Sequence, residues 1–110
     1  MTSSINLISA ENFINDVIEE RRPLLLLCAS NNDRYKYQID LIEKISLNYK
    51  GLLKIGLLEE TFFTAFRKNY RIVGTPTFLI LFAGKEKSRF VGHADEAALK
   101  DFLDNSSIFQ

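Results

Sequence analysis

The sequence has one cysteine, one histidine, two prolines and no tryptophan. A lone cysteine, Cys28, excludes an internal disulfide and a cysteine-rich metal centre. A single histidine, His93, leaves a structural zinc site without its ligands. No metal and no cofactor is therefore expected. Charge of one sign is also missing, since fourteen Lys and Arg balance fourteen Asp and Glu. Without a net positive field the chain is not expected to hold nucleic acid or an anionic membrane surface. The longest apolar runs, residues 23–29 and 77–84, fall far short of the roughly 20 residues that cross a bilayer. They read as buried strands. Residues 1–12 lack a basic region followed by an apolar core, so no secretory signal is expected, and the cytoplasm is the expected compartment.

What is there is a chain of 110 residues, 46% hydrophobic, enough for a real core in one domain over residues 1–110. No repeat, low-complexity segment or linker divides it. Residues 5–8 suggest a short strand, and Ser9 a helix N-cap. Ala10, Phe13, Ile14, Val17 and Ile18 follow at helical spacing and predict an apolar stripe. Pro23 ends that helix. The all-apolar residues 24–29 predict a central strand buried on both faces. Asn31, Asn32 and Asp33 can each cap a helix running to about Asn48, with Leu41, Ile42, Ile45 and Tyr49 inward and Gly51 past its end.

Residues 52–58 predict the next strand. Glu59, Glu60 and Thr61 then open a helix carrying Phe62, Phe63, Phe66 and Tyr70. Its acidic start and its basic end (Arg67, Lys68, Arg71) complement the helix dipole. The adjacent Phe62 and Phe63 cannot share one helix face, which hints at an exposed ring. Gly74-Thr75-Pro76 precedes a strand over 77–82. Gly84-Lys85 predicts a turn, residues 87–91 a partly exposed strand, and residues 95–105 a last helix with Leu99, Phe102 and Leu103 inward. The order is β α β α β α β β α, an α/β class.

That order, with VGTPTFLILFAGKEKSRFVGHADEAALKDFL from Val73 to Leu103, resembles the thioredoxin family. The likeness is of residue type from Val73 to Leu103 and of spacing from Leu24 to Ile72, without gaps. It implies a central mixed sheet with helices on both faces. In the family the turn after the second long strand carries Trp-Cys-Gly-Pro-Cys. Here the tryptophan position is Asn31 and the two cysteine positions are Asn32 and Tyr35, with Asp33 and Arg34 between. Without the dithiol, disulfide exchange with an internal resolving thiol is excluded. The family's buried aspartate and neighbouring lysine fall on Leu26 and Leu57. With no thiol to serve, leucine there removes the cost of a buried charge. Asp33 would also repel a thiolate or phosphate at the helix start.

The resemblance further implies a cis bond before Pro76 and a peptide-docking role for the Thr75 backbone. The sequence therefore predicts a redox-inactive protein that binds a protein or peptide partner along Asn32, Asp33, Arg34, Tyr35, Thr75 and Pro76. Arg34, Tyr35 and Tyr37 would add a cationic and aromatic surface. The alternative is single-thiol chemistry, with disulfides or peroxides, through Cys28. That thiol sits within an apolar strand, with no basic residue or histidine within three positions to lower its pKa. His93 is expected in a solvated loop. Oligomeric state is left open.

Overall fold

A computed structural model describes residues 5–30, 35–49 and 51–106. A five-stranded sheet is built from β1 (Ile5–Ile8), β2 (Leu24–Cys28), β3 (Lys54–Leu58), β4 (Thr77–Phe82) and β5 (Lys85–Val91) in the order β1-β3-β2-β4-β5. β1 and β2 run parallel to β3, and β4 runs antiparallel to both β2 and β5. The sheet is thus mixed, in an α/β chain. Among the described residues three α-helices accompany it: α1 (Tyr35–Ser46), α2 (Phe63–Tyr70) and α3 (Glu96–Asp104).

β2 is central and every residue in it is buried, as its unbroken apolar sequence requires. Alternate side chains face opposite sides. Leu25 and Leu27 pack under α1 and α3 with Ile42, Ile45, Ile55, Leu99 and Leu103. Leu24, Leu26 and Cys28 pack on the other side with Ile8, Val17, Leu58, Phe66, Ile72 and Leu79. The first face is edged by the ring series Phe78, Phe90 and Phe102. The second is covered by α2 and by Phe13, Phe62, Phe66 and Tyr70, the last two stacked with centroids 4.3 Å apart. Gly56 lets β3 approach closely, since a Cβ there would stand 3.0–3.2 Å from Ile8, Leu24 and Leu26 side chains.

Several expectations are corrected. The first helix is a π-helical turn, Ile14–Ile18, closed by the Glu19 N–H donating to the Ile14 carbonyl at 2.9 Å. This wider winding breaks the 3.6-residue stripe: Val17 is buried, whereas Ile14 is 63% exposed and Ile18 39%. Ser9 does not cap it. The Ser9 N–H instead donates to Asn12 Oδ1, and Asn12 Nδ2 donates to the Leu7 carbonyl, both at 2.8 Å. The helix expected from Glu59 begins as a 3₁₀ turn, Glu60–Phe62, before α2. The β4–β5 turn is Ala83-Gly84, with φ of 53° and 80°, so Lys85 already belongs to β5. Left-handed values at both positions suit a two-residue hairpin. The register sets Leu26 beside Gly56 and Leu27 beside Leu57. Leu26 and Leu57 therefore lie on opposite faces, and Leu58 is the β3 leucine that shares the Leu26 core. Asp95 caps α3 by accepting from the Ala98 N–H at 2.8 Å.

Candidate functional site

The end of β2, the start of α1 and the turn before β4 converge at one end of the sheet. Asn31, Asn32, Asp33 and Arg34 lie outside the described residues. Tyr35, Thr75 and Pro76 are described. The Thr75-Pro76 bond is cis. Pro76 is buried and its carbonyl accepts from the Gly92 N–H at 2.8 Å. Thr77 Oγ1 donates to the Gly74 carbonyl at 2.7 Å, closing the turn on itself. Thr75 is exposed, and its hydroxyl lies 3.2 Å from that of Ser30, just past β2. This contact ties the Thr75 turn to the end of the central strand.

The Thr75 main chain is the notable feature. Among the described residues its N–H and C=O have no hydrogen-bond partner, because the ladder of β4 begins only at Thr77. Exposed strand-like main chain of this kind can pair with an added chain. Beside it opens a concavity of about 200 Å³ lined by Ser30, Phe63, Arg67, Ile72, Gly74 and Thr75. Val73, 78% exposed, projects next to it and is the most exposed of the large apolar residues described.

Tyr35 is half-buried, and burial together with the Glu60 charge pushes its phenol up. It does not line the concavity, whereas Tyr37, two residues on, is exposed. The opposite flank is held by Gln38 of α1. This buried side chain donates through Nε2 to the Ala94 carbonyl and accepts at Oε1 from the Ala94 N–H, both at 3.0 Å. The loop that follows β5 is thereby fixed to α1. His93, in that loop, is exposed.

Cys28 is not at the surface. It is fully buried in the core under α2, opposite Thr77 of β4. Burial pushes its thiol up to about 12, against the opposing pull of the Arg89 charge. A thiol so desolvated stays protonated at neutral pH and is a poor nucleophile. Among the described residues no group of His, Cys, Asp or Glu side chains could hold a metal ion, and no helix is long and apolar enough to cross a membrane.

Five lining residues went unassigned as site residues in the sequence: Ser30, Phe63, Arg67, Ile72 and Gly74. Ser30 is separated from Thr75 by 45 positions, so no local pattern pairs them. Phe63 and Arg67 stand at i and i+4, one face of a helix, and that spacing was a readable signal. Arg67 reads from sequence only as a complement to the helix dipole. In the fold its Nε donates to the Ile72 carbonyl at 3.1 Å, which brings the guanidinium round to the opening. No protein-family model and no curated protein sequence matches this chain.

Proposed function

We propose that this chain is a thioredoxin-like peptide-binding module without a redox dithiol. The observation that carries the reading is the exposed Thr75 main chain, whose N–H and C=O are unpaired among the described residues at the rim of an opening. An extended polypeptide would pair with those two groups as an added strand. Val73 and the rim of the concavity would take its side chains. Tyr35 and the residues Asn32, Asp33 and Arg34, which lie outside the described ones, are the further contacts the family resemblance implies. The mixed sheet with helices on both faces is the arrangement the family resemblance implies, and it supports the same reading.

The chain has one thiol, Cys28, in the core. We assign it no catalytic role, and a reducing compartment such as the cytoplasm suits it. The test is an amide NMR titration of the full chain with pooled random nonapeptides. Amides of Ser30, Gly74 and Thr75 are expected to shift while those of Leu99 and Leu103 stay. Shifts absent from the Thr75 turn at millimolar peptide overturn the reading. A disulfide reagent is expected to modify Cys28 only after denaturation. Rapid modification of the native chain would instead put single-thiol chemistry first.

A further inference from the structure

The concavity beside Thr75 has a definite chemistry. Its polar lining residues are Ser30, Thr75 and Arg67, and its large apolar ones are Phe63 and Ile72. Arg67 is anchored in place. Its carbonyl accepts from the N–H groups of Arg71 and Ile72, and its Nε donates back to the Ile72 carbonyl. Among the described residues neither Arg67 Nη atom has a hydrogen-bond or ion-pair partner. A guanidinium held by one nitrogen presents the remaining donors as a fork, the geometry that matches a carboxylate.

The surrounding charge agrees. α2 contains Arg67 and Lys68 and no acidic residue, and Arg71 follows at its end. The nearest acids in sequence, Glu59 and Glu60, lie before α2, and among the described residues neither forms an ion pair with Arg67. Glu59 accepts from Thr61, and the charge of Glu60 acts on Tyr35. The opening holds about 200 Å³, below the roughly 300 Å³ at which drug-sized ligand sites begin, so it suits one side chain.

We infer that this concavity is a subsite for an acidic side chain of the bound polypeptide, its carboxylate paired with the Arg67 guanidinium beside the Ser30–Thr75 hydroxyl pair. The inference rests on the peptide-binding reading above and names the class of partner: an extended segment with Asp or Glu close to the residue that pairs with Thr75.

Two pools of random nonapeptides with capped ends, one with Glu fixed at the centre and one with Gln, separate the possibilities on the immobilised full chain. The Glu pool is expected to be retained about tenfold over the Gln pool at low salt, with the preference shrinking as salt is raised. Arg67→Gln is expected to abolish the preference while still retaining both pools, and Arg67→Lys to restore part of it. Equal retention of both pools by the native chain overturns the acidic subsite and leaves peptide binding standing. Failure to retain either pool overturns both. A third pool with central phosphoserine, retained above the Glu pool, would overturn the carboxylate in favour of a phosphate. Native-like amide spectra of the Arg67 variants away from α2 and Ile72 establish that the effect is local.

Discussion

The two faces of the sheet solve the same problem differently. Under α1 and α3, regular helices of twelve and nine residues satisfy most of their own backbone, and aliphatic side chains fill the gap. On the other face the cover is a five-residue π turn, a 3₁₀ turn and an eight-residue helix that ends with Arg71 in the left-handed region at φ 55°. Short and irregular elements leave carbonyls over. Side chains from elsewhere come to meet them. Lys54 donates to the Asp16 carbonyl, Tyr70 to Gly84, Arg89 to Tyr70 and Arg71, and Arg67 to Ile72, at 2.6–3.1 Å. The lesson is that irregular backbone here is made tenable by long polar side chains, and the candidate site is cut into that irregular side.

The contrast can be broken most severely at Phe66, which touches Phe13, Phe62 and Tyr70 and holds the irregular cover together. Phe66→Ala is expected to lower unfolding free energy by about 3–5 kcal/mol in urea titration. It should also shift the amides of the π turn and α2 far more than those of α1.

Next in size is Lys54, 7% exposed at its side chain and set between Glu20 at 3.3 Å and Asp16. Lys54→Met is expected to cost about 2–3 kcal/mol, less than a fully unpaired buried charge because Arg22 still binds Glu20 at 3.0 Å. The same network has a pH signature. The Arg22 side chain foremost, then its backbone and Lys54, hold the Glu20 carboxyl down from 4.5 to about 2, against burial. A depressed folded value means the stabilisation is complete above about pH 4.5 and is lost as pH falls toward 2. Glu20→Gln should therefore be less stable than the native chain at pH 7 and should close the gap between pH 4.5 and 2, as read from urea midpoints.

On the regular face the counterpart is Gln38. Gln38→Leu leaves the Ala94 N–H and C=O without their buried partner and is expected to cost about 2 kcal/mol. If it costs nothing, the regular face is held by apolar packing alone and the contrast with Lys54 sharpens. The smallest effect is expected at Asp95→Ala, about 1 kcal/mol, for loss of the α3 cap. Thermal melts resolve all of these.

Regular elements were the legible ones. The apolar run of β2, the Leu99 and Leu103 spacing of α3 and its Asp95 boundary follow local rules, and the structure obeys them. The irregular face was not legible, because its determinants are far apart in sequence. Nothing near Lys54 in Leu-Leu-Lys-Ile-Gly-Leu-Leu announces that Asp16, 38 residues earlier, will accept its charge. The π turn keeps the residue types of an α-helix and only the winding differs, so the periodicity of Ile14 and Ile18 misleads. At the candidate site, Thr75 was visible through its proline. Ser30 and Arg67 arrive there only through the sheet register and the α2 terminus.

The Gln38 clamp has a consequence in time rather than in energy. Ala94 belongs to no strand or helix, and amides in such segments normally trade their hydrogen for deuterium within local openings. Its N–H, however, is bonded inside the core to a side chain from α1. Its exchange is then expected to wait on the opening of that bond and to be slower than that of its loop neighbours. The loop that also gives the Gly92 N–H to the Pro76 carbonyl is in that sense timed by a buried contact and not by the solvent alone.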